Sequence, residues 1–205
     1  TDYTDGAGNL DDIVISAGAT TGTVSFSPTN DSLYDAASDE TATIAISGVS
    51  GGSASESGSQ SVTITITDDD SAPTVTLAAS STSIAENSSS TITLTATLSN
   101  ATYQDVTVSI GTSGTATEGT DYGNISDITI SAGATTGTVS FTPTNDSIYD
   151  ATSNETATIS INGVSGKTGV AENSTPQEVT ITITDNESAP TVTLSVSSSS
   201  IAENS

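Results

Sequence analysis

Apolar and polar residues alternate with a period of two along most of this chain. The clearest run, TITLTATL at residues 91–98, places Ile92, Leu94, Ala96 and Leu98 on one face and threonines on the other. Such alternation is typical of antiparallel strands with one buried and one solvated face. The pattern predicts strands over residues 74–77, 91–98, 106–110, 125–130, 138–141, 156–161 and 179–184, with turns at 111–119, 131–133 and 162–163.

Long segments of the sequence occur twice at a nearly constant spacing. ISAGATTGTVSF fills residues 15–26 and again 130–141, an offset of 115. TITITD, SAPTVTL and SIAENS begin at residues 63, 71 and 83 and again at 180, 188 and 200, an offset of 117. The offset changes because two extra residues lie between Gly166 and Val179. Repeated segments indicate a tandem-repeat protein.

A unit of about 117 residues with about seven short strands suits an immunoglobulin-like antiparallel β-sandwich. We therefore expect the C-terminal part of one repeat at 1–70, a complete repeat at 71–187 and the start of the next at 188–205. Sandwiches joined end to end in this way predict an elongated rod.

Composition then limits the chemistry. The 205 residues carry 25 Asp and Glu against one basic residue, Lys167, for a net charge of −24. So acidic a surface argues against nucleic acid and against direct membrane insertion. The chain has no Cys and no His, so a bound metal must be a hard cation held by oxygen, and Ca²⁺ is the leading candidate. We expect Lys167 to lie exposed in an irregular loop, which argues against an isopeptide crosslink.

The acidic residues cluster at strand ends rather than spreading evenly. In the complete repeat they include Glu86, Asp121, Asp146, Asp150 and the triplet at 185–187. A sandwich brings alternate loops together at one end, where carboxylates and carbonyls can supply the six to eight oxygens that calcium takes. The alternative is that these groups are merely solvated loop residues.

The order SIAEN, GTATEGTDY, NDSIYD, ETATISI and a final TITD followed by acids resembles the Calx-β domain. The resemblance implies an immunoglobulin-like sandwich that binds calcium at one end, at the boundary with the next domain. In the complete repeat it implies ligands at Glu86, Asp121, Asn145, Asp146, Ile148 (through its carbonyl), Asp150, Asp185, Asn186 and Glu187. In the partial first repeat the matching residues are Asp2, Asn30, Asp31, Asp35, Asp68, Asp69 and Asp70. Fewer formal charges usually weaken calcium binding, so we expect the 68–70 site to bind more tightly than the 185–187 site.

These features favour a structural role: an extracellular surface fibre or adhesin stalk stiffened by Ca²⁺ at domain ends. Near-identical copies suit a stalk, whereas a module that recognises a receptor or carbohydrate, the alternative, needs one distinctive surface. A calcium sensor is a third possibility. No nucleophile–base pair is visible, so we do not expect an enzyme. The expected partners are neighbouring repeats, and identical chains if the fibre is a polymer. The acidity fits a saline, calcium-rich exterior.

Overall fold

The computed structural model describes residues 3–4, 10–34, 40–149, 154–173 and 177–203, and the regular elements among them are β-strands. The same residues contain no helix with the length and hydropathy needed to cross a bilayer. The strands are β1 (Tyr3–Thr4), β2 (Ser27–Pro28), β3 (Leu33–Tyr34), β4 (Glu40–Ala45), β5 (Ser61–Ile66), β6 (Thr74–Ala79), β7 (Ser83–Ala85), β8 (Ile92–Leu98), β9 (Ala101–Thr102), β10 (Val106–Gly114), β11 (Ile128–Ile130), β12 (Thr136–Phe141), β13 (Glu155–Ser165), β14 (Ala171–Glu172) and β15 (Glu178–Thr184).

Two sheets form a β-sandwich between Thr74 and Thr184. One sheet has the order β11-β10-β13-β15-β7 and the other the order β12-β8-β6-β14. Neighbouring strands are antiparallel, except that β7 runs parallel to β15 and β14 runs parallel to β6. The predicted all-β sandwich is therefore confirmed, while the boundaries at residues 70 and 187 stay predictions.

The sandwich core lies where the alternating pattern places it. On β8 the side chains of Ile92, Leu94, Ala96 and Leu98 are buried, and the threonines between them are more exposed. Apolar residues of the facing strands complete one continuous cluster. Burial of this area from water is the main force that holds the two sheets together.

Two aromatic rings fill the centre of this core. Tyr122 and Phe141 are fully buried and stack with their ring centroids 4.8 Å apart. Phe141 ends the strand predicted at 138–141, whereas Tyr122 lies outside every predicted strand, in the loop between β10 and β11.

The predicted turn at 162–163 is wrong, and the turn predicted at 111–119 begins too early, because β10 continues to Gly114. Strand β13 continues through Asn162 and Gly163 to Ser165, and its pairing with β10 shifts register between Ser109 and Ile110. A β-bulge of this kind absorbs one extra residue without ending the strand. An Asn-Gly pair, normally a turn signal, is therefore accommodated within an eleven-residue strand.

The repeated segment ISAGATTGTVSF has the same local arrangement but different burial in its two copies. A Cβ built on Gly22 would meet the carbonyl oxygen of Val14, as one on Gly137 would meet that of Thr129. Yet Ile15 is 57% exposed, whereas its counterpart Ile130 is fully buried. The repeated segment therefore determines how its own residues approach one another. Burial of its apolar side chains depends instead on the opposing sheet, which contains β6 and β8.

Candidate metal centre

Glu86 and Glu187 are brought together by a pair of parallel strands. In β7 and β15 the residues Ile84 and Ile183 are partners, and the pairing continues past the strand end because the Glu86 N–H donates to the Thr184 carbonyl at 3.0 Å. Each glutamate follows its strand by one to three residues. Both side chains therefore leave the same end of the sandwich.

Asp146 reaches the same place from the loop after β12. Its Oδ1 accepts the Ile148 N–H at 2.6 Å, and its carbonyl accepts the Asn145 side-chain amide at 2.8 Å. An aspartate that accepts the amide two residues ahead forms a local turn and fixes its own rotamer. The loop sequence thus positions the carboxylate before any ion arrives.

The three carboxylates form one compact group. One oxygen from each of Glu86, Asp146 and Glu187 lies within 4.8 Å of the others. Glu86 is only 8% exposed. Among the described residues, Glu86 Oε1 and Glu187 Oε2 are buried and accept no hydrogen bond. Buried carboxylate oxygens without a donor are costly, so these two atoms favour a bound proton or cation beside them.

The raised pKa of Glu86 also favours a cation at this group. Burial raises the pKa of its carboxyl from 4.5 to about 7, and contact with Glu187 and the charges of Asp146 and Asp185 add to the rise. When protonated, Glu86 can donate a hydrogen bond to Glu187. A cation placed among these groups replaces that proton and removes the repulsion.

The donor set fits a hard divalent cation. The available atoms are carboxylate oxygens, and Ca²⁺ takes six to eight such ligands in adaptable geometry. Thiol and imidazole ligands are absent from the whole sequence, which disfavours zinc and copper. Calcium bound here would offset the negative charge and hold three chain segments together: the end of β7, the loop after β12 and the end of β15.

The other predicted ligands of the complete repeat lie near this group in different ways. Asp185 accepts the Glu187 N–H at 2.9 Å, and its charge contributes to the raised pKa of Glu86. The Asn186 side-chain amide donates to Glu187 Oε1. Ile148 contributes its N–H to Asp146, and nothing tests its carbonyl as a ligand.

Asp121 lies outside the carboxylate group. Its Oδ2 accepts the Thr117 N–H at 2.6 Å and closes a turn, while its carbonyl accepts the Thr144 N–H at 2.9 Å. The second bond ties the Asp121 turn to the loop that carries Asp146. A role in calcium binding stays a prediction for Asp121, and Asp150 lies outside the described residues.

The first copy repeats this design in part. Asp31 Oδ1 accepts the Leu33 N–H at 2.9 Å, and the Asn30 amide donates to the Asp31 carbonyl at 3.1 Å, as in the second copy. Asp68, Asp69 and Asp70 form a second group of close carboxylates, and Asp68 accepts the Asp70 N–H at 2.9 Å.

Burial and the charges of Asp68, Asp69 and Asp31 raise the pKa of the Asp70 carboxyl. The loop of the first copy and its terminal triplet therefore influence one another. Of the remaining predicted ligands, Asp2 and Asp35 lie outside the described residues.

A comparison with protein families identifies the family of this chain. The family model described as the Calx-beta domain matches residues 68–187, which is more than half of the chain. The chain belongs to the Calx-beta family. The Calx-beta match contains the whole sandwich together with Glu86, Asp146 and Glu187. No curated protein matches the chain.

Among solved structures, one titled "Crystal structure of Apo-form Calx CBD1 domain" is similar to part of this chain. The two chains are 18% identical over 55% of this chain and 98% of that one, with a TM-score of 0.43.

One prediction about the basic residue is wrong. Lys167 is only 4% exposed, although its position in an irregular loop predicted an exposed side chain. Its ammonium lies 3.8 Å from the ring centroid of Tyr103 and 5.7 Å from that of Tyr34. Neither the period-two pattern nor the loop composition signals such a contact, because it joins segments far apart in sequence.

Proposed function

We propose that this chain is a stretch of an extracellular surface fibre or adhesin stalk in which calcium stiffens the ends of Calx-beta domains. The observation that carries the proposal is the group of Glu86, Asp146 and Glu187 with its two buried carboxylate oxygens that accept no hydrogen bond. Glu187 is followed directly by residues 188–203, which are exposed. An ion at this place therefore acts where the chain leaves the sandwich.

The proposed mechanism is electrostatic. Without calcium, the acidic groups at the end of the domain repel one another, and the segment that follows Glu187 is free to change direction. With calcium, the end of β15 is tied to the loop of Asp146 and to Glu86. A chain of such domains then resists bending, as a stalk must. The partners in this proposal are neighbouring repeats of the same chain.

The repeated sequence supports a stalk over a recognition module. Copies that share a twelve-residue segment without change provide length and uniformity, whereas specific recognition needs a surface that differs from its neighbours. The location outside the cell rests on the extreme acidity, which suits a calcium-rich medium.

Small-angle scattering tests the proposal on the full chain, first in EDTA and then with increasing calcium. We expect the maximum dimension of the particle to increase. We also expect the melting temperature to rise, because calcium at one hundred times its Kd stabilises the folded state by about 2.7 kcal/mol. Magnesium serves as the control because it prefers smaller, octahedral sites with retained water. If calcium changes neither the shape nor the melting temperature, the stalk mechanism is wrong.

A further inference from the structure

A contact between the first copy and the sandwich lies outside the carboxylate groups. Strand β3 pairs in parallel with β9, with Leu33 opposite Ala101 and Tyr34 opposite Thr102. Tyr34 is only 8% exposed and Thr102 only 1%. Most described residues between 10 and 33 are exposed or half-buried, so Tyr34 is the point where this segment enters the sandwich surface.

The surface that receives Tyr34 combines two loops of the sandwich. We call residues 101–103 and 167–169 the tyrosine socket. The Lys167 ammonium lies over the rings of Tyr103 and Tyr34, at 3.8 and 5.7 Å from their centroids. A cation over an aromatic face is attracted by the ring quadrupole, and more strongly where water is excluded. Lys167 is the chain's one basic residue, and it is 4% exposed at this contact.

A glycine leaves room for the incoming ring. Gly169 has φ +90°, which side chains rarely adopt, and a Cβ built there would lie 2.4 Å from the Tyr34 hydroxyl. Both the backbone conformation and the space therefore depend on glycine at this position. The socket is thus shaped for a close approach of an aromatic side chain.

The tyrosine and the socket occupy opposite ends of a repeat. Tyr149 follows the Asn145–Asp146 turn as Tyr34 follows the Asn30–Asp31 turn, at the offset of 115. Strand β13 begins beside the carboxylate end, since Glu155 pairs with Ile183, and ends beside the socket at Ser165. Eleven residues of strand separate the two ends by about 30 Å.

We propose that the tyrosine socket is a docking site for the preceding repeat, whose loop tyrosine fixes the junction between two domains whether or not calcium is bound. A tyrosine at one end and a socket at the other make a head-to-tail contact, which propagates along a chain of repeats. This proposal rests on the stalk function proposed above and supplies a second, cation-independent source of its stiffness. In the first copy the residue that corresponds to Lys167, 115 positions earlier, is Gly52. A socket with lysine is therefore not present in every repeat.

Distances between two spin labels test the docking. The chain has no cysteine, so the exposed residues Val62 in the first copy and Ser126 in the sandwich can be changed to cysteine and labelled cleanly. We expect Tyr34→Ala and Lys167→Gln to broaden the distance distribution roughly twofold, in EDTA and in calcium alike. Tyr34→Phe keeps the ring and the narrow distribution.

Tyr149→Ala is the matched control, because it removes the same residue of the same motif at the opposite end of the sandwich. An unchanged width in Tyr34→Ala, or a broadening seen only in EDTA, would overturn the proposal. Melting of each variant shows that the sandwich is still folded. If calcium fails to alter scattering while Tyr34→Ala still broadens the distribution, the calcium function fails and the docking stands.

Discussion

Replacing Glu86 by Gln tests two effects of this buried carboxyl: it destabilises the calcium-free protein, and it contributes to calcium binding. Glutamine keeps the size of the side chain but carries no charge, so the packing at the end of β7 is retained. We expect Glu86→Gln to stabilise the calcium-free protein at pH 8 and to weaken its response to calcium. Both effects come from one cause, the negative charge that Glu86 adds beside Glu187, Asp146 and Asp185.

The magnitude follows from the raised pKa of Glu86. Its rise from 4.5 to about 7 corresponds to roughly 3–4 kcal/mol, at ~1.4 kcal/mol for each pH unit. Because folding favours the protonated form, the wild type keeps its full stability below pH 4.5 and loses it as the pH rises to about 7. Glu86→Gln does not titrate, so its advantage is greatest at pH 8 and falls below about 1 kcal/mol at pH 5.

Urea unfolding in EDTA at pH 5 and pH 8 measures this difference, and repeating it in calcium measures the gain from the ion. The control is Glu178→Gln, which removes one charge from an exposed position on β15. We expect calcium to stabilise the wild type and the control more than Glu86→Gln. The reasoning is refuted if Glu86→Gln is no more stable than the wild type at pH 8 in EDTA, or if calcium stabilises all three equally.

Three further predictions follow from the fold and the site. Phe141→Ala should destabilise the sandwich by about 3–5 kcal/mol in urea unfolding, because it empties the core beside Tyr122, whereas Phe26→Ala, the same change in the half-buried first copy, should cost clearly less. Gly114→Ala should lower the melting temperature, since its φ is +121° and a Cβ would lie 2.1 Å from the Thr156 carbonyl oxygen, while Gly163→Ala, with open space around it, should not. Adding calcium to lightly buffered protein near pH 6.5 should release protons, because Glu86 is largely protonated there, and a pH-stat that records no release at that pH would contradict the raised pKa.

The strands were predictable because each has one buried face and one solvated face. Apolar and polar residues therefore alternate along each strand with a period of two. Every one of the seven predicted strands has a counterpart in the sandwich. The short strands β7, β9 and β14 carry too few residues to show a period. The continuation of β13 through Asn162 and Gly163 was hidden because its bulge depends on the register against β10, which no local signal encodes.

The sequence predicted which residues form the candidate site but not how they are arranged in space. Glu86 and Glu187 lie within three residues of a strand end and Asp146 lies in the loop after β12, so their positions in the sequence pointed to them. Their spacing depends on the parallel pairing of β7 with β15, and that pairing joins residues 99 positions apart. Lys167 and Tyr34 were missed for the same reason, since their contact is made entirely by tertiary structure.

The two identical copies of ISAGATTGTVSF give the chain a choice during folding. Strand β8 pairs with residues 136–141, and residues 21–26 carry the same side chains in the same order. The correct pairing closes a loop of 39 positions, from residue 97 to residue 136. The incorrect pairing closes a loop of 66 positions, from residue 26 to residue 92. Loop-closure entropy separates these by only roughly 0.5 kcal/mol. Misassembly between neighbouring units is a known failure of repeat proteins, so the order in which segments become available to β8 decides how efficiently this chain folds.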